Sequence, residues 1–376
     1  MLRVKRAAVF GALATALLVT PVAAAATASD SPSVPGKTAA HGRNGGHGDP
    51  SGAPLRKLAE RTTTKVRVGT AVDMAALAED ATYRKTVARE FNSVTAENVM
   101  KWETVQPERG VYDFAAGDEL VDFARANGQQ VRGHTLVWHN QLPKWLTEGD
   151  FSREELRSIL REHITTVVRH YRGRIYEWDV ANEVFEDDGT LRKSLWLEKL
   201  GPGYIADALR WAHAADPRAK LFLNDYNVEG INAKSTAYYE LVKDLRAQRV
   251  PVHGFGVQGH LSLEYDLPGD VAENLARFDR LGLRTAVTEA DVRMRMPTET
   301  IELHAQAQGY HVLLQACLLT PKCSSFTVWG FTDKYSWIPD WFEGEGAANL
   351  LDEEYRPKPA YRAVHQDLRL AAGGRR

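Results

Sequence analysis

Ile175-Tyr176-Glu177-Trp178-Asp179-Val180-Ala181-Asn182-Glu183 is a run rich in β-branched and aromatic residues that closes on two side chains too polar for an ordinary core. A strand-like run of this kind, followed by a longer amphipathic stretch, recurs along the chain. Upstream lie Lys65 to Val72, Ser93 to Asn98 and Gln130 to Val137. Downstream lie Lys220 to Asn227, Gly254 to His260, Arg284 to Asp291 and Ser325 to Phe331. Their starts are 28 to 45 residues apart, which leaves room for one crossover helix per strand. Leu120, Phe123 and Ala124, and again Leu275, Phe278 and Leu281, have the helical spacing that packs a stripe onto a sheet. Ser152 with Glu155 and Asp270 with Glu273 are spaced as capping boxes, and Gly128 and Gly173 stand where helices should stop. Eight such units predict an α/β fold, a single (β/α)8 TIM barrel with its active site at the C-terminal ends of the strands. A doubly wound open sheet would call for a Gly-rich dinucleotide loop after the first strand, where the chain has Gly69-Thr70-Ala71-Val72-Asp73.

The strand ends carry the functional signal, because a barrel interior is filled by aliphatic layers and polar strand ends need another reason. Glu97 and Asn98 close the second strand, His134 and Trp138 the third, and Asn182 and Glu183 the fourth. Asn224 and Asp225 close the fifth, Gln258 and His260 the sixth, Glu289 and Asp291 the seventh, and Trp329 the eighth. Strands four and seven face each other across the barrel, so Glu183 and Glu289 are expected to project into one bowl from opposite sides. A paired acid and carboxylate is what glycosidic bond cleavage requires. Of nine tryptophans, Trp102, Trp138, Trp145, Trp329, Trp337 and Trp341 fall at or just past strand C-termini, where flat apolar faces suit pyranose rings. Trp178, Trp196 and Trp211 are expected in the core.

Around this barrel the chain reads as an exported protein. Its 376 residues are 44% hydrophobic and 26% charged with a net charge of −2, so there is no basic excess to attract nucleic acid. Arg3, Lys5 and Arg6 precede an uncharged stretch from Ala7 to Val19 and a small-residue run ending at Ala28. Residues 1–28 are therefore expected to be a secretory signal peptide, too short in its apolar part for a spanning anchor, giving a secreted, extracellular protein free of the membrane. Residues 29–54 form a Gly/Pro/Ser-rich leader whose composition predicts disorder, and 55–376 form the catalytic barrel. Cys317 and Cys323 flank a short loop and are expected to pair as a disulfide in an oxidising compartment. No metal or other cofactor is expected, and a monomer is.

The chain resembles glycoside hydrolase family 10, the endo-1,4-β-xylanases. The resemblance is carried by Thr95-Ala96-Glu97-Asn98-Val99-Met100-Lys101-Trp102, Gly133-His134-Thr135-Leu136-Val137-Trp138-His139, Trp178 to Glu183, Asn224-Asp225-Tyr226-Asn227, Val257-Gln258-Gly259-His260, Thr288-Glu289-Ala290-Asp291 and Val328-Trp329-Gly330. It implies a retaining mechanism with Glu183 as general acid/base and Glu289 as nucleophile, on xylan and xylo-oligosaccharides. It further implies that His260 and Asp291 orient Glu289, and that Asn182 meets the sugar 2-hydroxyl. Glu97, Asn98, Lys101, His134, Gln141 and Gln258 would bind sugars on the non-reducing side, walled by Trp138, Trp329 and Trp337, with Tyr226 on the leaving-group side. His260 counts among the substrate-binding residues as well. Gly259 stands where many relatives have Ser and is expected to loosen the turn beside His260. Three rivals are a β-1,4-glucanase, a non-catalytic glycan-binding barrel and a metal-dependent barrel hydrolase. The last would need a denser ligand cluster than His134, His139 and His260.

Overall fold

A strand forms within each expected run, and each is followed by the helix its spacing demands. The computed structural model describes residues 52–373; the expected signal peptide and all but the last three residues of the expected leader lie outside the described residues. The barrel strands are β1 (Arg67–Val72), β2 (Ser93–Ala96), β3 (Gln130–Gly133), β4 (Ile175–Asn182), β5 (Lys220–Asp225), β6 (Gly254–Val257), β7 (Arg284–Arg295) and β8 (Cys323–Val328). Neighbours pair in parallel from β1 through β7, and β8 pairs with both β7 and β1, which closes the ring. The principal helices are α1 (Ala81–Glu90), α2 (Ala115–Ala126), α3 (Arg153–His170), α4 (Tyr204–Ala215), α5 (Ala233–Ala247), α6 (Val271–Arg280), α7 (Thr300–Leu319) and α8 (Pro359–Gly373). This is the (β/α)8 barrel.

Local chemistry explains the boundaries. Ser152 and Glu155 do form a capping box at the start of α3, and Gly128 and Gly173, at φ +62° and +76°, follow the ends of α2 and α3. Asp270 departs from expectation: its side chain caps nothing on α6 and instead accepts the Ile231 N–H at 3.0 Å, tying the loop after β5 to the start of α6. The sixth run is not one strand. Gly259, at φ +80°, breaks it after Val257, and His260–Ser262 resumes as a short strand beside the prolonged end of β7, with His260 opposite Asp291. At that turn the Gly259 N–H donates to the buried Glu229 carboxylate at 2.8 Å.

The interior is not purely aliphatic. Trp178 faces outward, its ring 6.1 Å from Tyr171 at the end of α3, so Glu177 and Asp179 on the same strand face inward. There they flank the Arg132 guanidinium, and all three side chains are fully buried. A lone buried charge would be costly; here one cation donates to two carboxylates, which offsets part of the cost, while burial still raises the Glu177 pKa against the pull of Arg132. Cys317 and Cys323 are bonded, with Cα atoms 5.2 Å apart, and pin the end of α7 to the first residue of β8 at the end of the barrel away from the bowl. At the N-terminal edge of the described residues, the Ala53 carbonyl lies 3.0 Å from His365 Nε2 on α8. Among the described residues no helix is long and apolar enough to cross a membrane.

Candidate active site

Glu183 stands one residue past β4 at φ +58°, so the chain turns sharply and aims the carboxylate into the bowl. A register shift between Asp179 and Ala181 resets the facing of the last residues of β4 just before it. Its Oε2 accepts the Trp138 indole N–H at 2.8 Å, and its Oε1 accepts amide protons from Gln258 at 3.0 Å and Asn182 at 3.2 Å. His139 Nδ1 lies 3.9 Å from Oε2, and burial pushes that imidazole below its usual pKa against the pull of Glu183. Neutral donors therefore surround Glu183.

Glu289, within β7, has the opposite surroundings. Its Oε1 accepts from Asn224 at 2.7 Å and lies 3.9 Å from His134 Nδ1, while its Oε2 lies 3.3 Å from His260 Nε2. Burial pushes this carboxyl up, but the charge of His134 and the hydrogen bond and charge of His260 outweigh it and hold the pKa at about 2. His260 is depressed by burial and raised more strongly by Asp291 and Glu289, reaching about 10. Its Nδ1 sits 3.0 Å from Asp291 Oδ2, which also accepts the Trp337 indole N–H at 2.8 Å. The expected orienting pair, His260 and Asp291, is thus assembled around Glu289.

Between the two carboxylates runs a bridge that sequence reasoning missed. Asn224 donates to Glu289 and, at 2.8 Å, to the side-chain oxygen of Asn182, whose amide contacts Glu183. Thr288 Oγ1 fixes the Asn224 oxygen at 2.7 Å. Gly256 makes room, since a Cβ there would lie 2.4 Å from Asn224 Oδ1. The position of Asn224 at a strand end was the available signal.

On the β2–β3 side, Lys101 Nζ donates to Asn98 at 3.1 Å and lies 5.0 Å over the Trp138 ring and 5.9 Å over that of Trp329. Gln141 donates to the same Asn98 oxygen at 3.2 Å. Burial lowers the Lys101 pKa against the charges of Glu289 and Glu97. Burial and the charge of Asp73 raise Glu97 to about 7, with Lys101 opposing. Tyr226 is on the far side, past β5, its hydroxyl bound to Arg192 and its ring 3.6 Å from Lys234 Nζ.

The tryptophans divide differently from expectation. Trp138, Trp329 and Trp337 line the bowl, and Trp341 is 72% exposed beyond Trp337. Trp102 is not at the rim: it is buried, stacked 3.6 Å from the His163 ring of α3 and 5.2 Å from Trp196. Trp145 is half-buried, its N–H on the Gln106 carbonyl. Trp178 and Trp196 are core as expected, whereas Trp211 is only partly buried, with the Arg157 guanidinium 5.1 Å over its ring. His134, Asp179 and Glu289 offer ligand atoms within 4.8 Å of one another. Asp179 is already the counter-ion of Arg132 and lies 2.9 Å from His134 Nδ1, so these groups satisfy one another and do not form an open cation site.

A family model described as "Glycosyl hydrolase family 10" matches residues 55–367, which include all eight barrel strands. The chain belongs to glycosyl hydrolase family 10. Within the family it is 45% identical over 312 residues to an endo-1,4-β-xylanase of Agaricus bisporus, covering 82% of this chain and 93% of that one. It is 44% identical over 314 residues to endo-1,4-β-xylanase B of Thermotoga neapolitana, covering 83% and 91% respectively. A crystal structure of Thermotoga petrophila xylanase 10B with xylobiose superposes with a TM-score of 0.83 at 43% identity, covering 87% of this chain and 100% of that one. As a family 10 member the protein is a glycoside hydrolase.

Proposed function

We propose that this chain is a secreted endo-1,4-β-xylanase that cleaves internal bonds of xylan with retention of anomeric configuration, acting as a monomer. The observation that carries the reading is the asymmetry of the two carboxylates. Glu289, held ionised down to about pH 2 between two imidazoles, suits a nucleophile, while the Glu183 carboxylate, whose hydrogen-bond partners are an indole and two amides, is left the acid/base role. In the first step the Glu289 carboxylate attacks the anomeric carbon as Glu183 delivers its proton to the departing oxygen. In the second, Glu183 takes a proton from water, which displaces Glu289 from the sugar. Asn182 would hydrogen-bond the sugar 2-hydroxyl, a contact that strengthens as the ring approaches an oxocarbenium ion.

Support for xylan comes from the named activity of the relatives and from the xylobiose in the Thermotoga petrophila structure. The tryptophan walls agree with it, since xylose lacks the hydroxymethyl group that a close-set indole would exclude. Glu97, Asn98, Lys101, His134, Gln141, Gln258 and His260 would bind the sugars before the cut, and Tyr226 the sugar after it. Initial rates on xylan and on carboxymethylcellulose test the substrate; a preference for the glucan overturns it. Amino-terminal sequencing of protein recovered from culture medium tests export, with a start near Ser29 expected and an intact Met1 contradicting it.

A further inference from the structure

Glu183 sits in the left-handed backbone region, where a non-glycine residue persists only if its surroundings hold it. Three contacts do so. Its own N–H donates to the Asn224 carbonyl at 2.8 Å, the next N–H, of Val184, donates to the Tyr238 hydroxyl at 3.1 Å, and its carbonyl accepts from Arg192 Nε at 2.8 Å. The first two come from neighbouring β5 and α5; the third comes from a loop nine residues further along the chain. We propose that Arg192 is a positioning residue for Glu183, and that it links the acid/base to the leaving-group side of the cleft.

The guanidinium is used on every edge. Besides the Glu183 carbonyl, it donates from one terminal nitrogen to the Phe185 carbonyl at 3.0 Å and the Tyr226 hydroxyl at 2.8 Å, and its other terminal nitrogen pairs with Glu186 at 3.0 Å. The loop that presents it is closed by Arg192 N–H to the Val184 carbonyl and Glu186 N–H to the Thr190 carbonyl, both 2.8 Å. A lysine at this position would keep the charge and lose the fork. Tyr226 is thereby joined through one planar group to the backbone that aims Glu183. A sugar seated on Tyr226 bears on the residue that fixes the approach of the acid to the departing oxygen. This inference rests on the reading of Glu183 as acid/base.

The test separates the two by leaving group. Phenyl β-xylobioside needs a proton on its departing oxygen, whereas 2,4-dinitrophenyl β-xylobioside does not, so kcat/KM on the pair isolates acid delivery from binding. Arg192→Met is expected to lose about 100-fold on the phenyl substrate, within the usual span of general-acid contributions, and less than about threefold on the dinitrophenyl one. Arg192→Lys is expected to lose about tenfold on the phenyl substrate alone. Equal losses on both substrates, or none on the phenyl one, overturn the inference. Should Arg192→Met fail to fold, Arg192→Lys decides by the same ratio. Glu183→Ala, run alongside, must itself show the selective loss. If it does not, the acid/base reading fails; if it does while the Arg192 variants do not, the inference alone fails.

Discussion

Just past β4, Glu183 takes hydrogen bonds from an indole and two amides; within β7, Glu289 lies between two imidazoles, with an amide joining them. The side chains are chemically identical and both buried, yet Glu289 is pinned as an anion, while among the described residues no cationic side chain reaches the Glu183 carboxylate at hydrogen-bond distance. The difference teaches that the division of labour between two glutamates is written in their neighbours, and that those neighbours arrive from other strands. Trp138 follows β3, Gln258 follows β6, and Asn224 lies on β5.

The comparison breaks most visibly at Glu289. Glu289→Gln keeps the size and one acceptor oxygen but removes the nucleophile, and xylan turnover should fall by at least about 10³-fold while a xylo-oligosaccharide still binds, checked by calorimetry. More than a few per cent of parental rate would show that the two corners had been assigned the wrong way.

His260→Asn sharpens the contrast by stripping one imidazole. Glu289 is then less favoured as an anion, so the acidic limb of kcat/KM moves up from about pH 2 toward the ordinary carboxylate value of 4.5. Stability carries a second signature. Because His260 is raised from 6.5 to about 10, it contributes fully below pH 6.5 and loses that contribution as pH rises through 10. Urea denaturation should show the gap between parent and variant narrowing over that window; a gap that widens contradicts the pairing. Glu289 works in the reverse sense, stabilising above 4.5 and ceasing to do so as pH falls toward 2.

How much of this was visible beforehand depends on the kind of feature. Strand ends announced themselves: Asn182, Glu183, Gln258, His260, Glu289 and Asp291 are polar at the close of apolar runs, and all meet in the bowl. Features that depend on facing did not. The burial of Trp102 depends on His163 of α3 coming to stack on it, and the shared burial of Arg132, Glu177 and Asp179 follows from which parity of β3 and β4 looks inward. Neither is fixed by composition or spacing. Asp270 with Glu273 shows the converse, a local motif overridden because Asp270 found a tertiary donor in Ile231. Arg192 was illegible for a third reason: a loop arginine acquires a role only when the chain folds back on Glu183.

Asn224→Ala probes the bridge between the corners. It removes one donor from Glu289 and one from Asn182, and kcat/KM on xylohexaose should fall by about 100-fold, the low end for loss of one aligned donor. An unchanged rate would mean the corners work independently. The smallest effect on activity is expected at the disulfide, at the end of the barrel away from the bowl. Replacing Cys317 and Cys323 by Ser together should lower stability by about 2 kcal/mol, from the entropy of a short loop, and leave kcat unchanged. A large loss of kcat would show that the lower end of β8 reaches the bowl.

The difference between the two glutamates is meaningful only if both act in one double displacement. Proton NMR of xylohexaose hydrolysis, following anomeric signals before mutarotation, tests that most directly. The account predicts that new β-anomer appears first, and new α-anomer appearing first would contradict it.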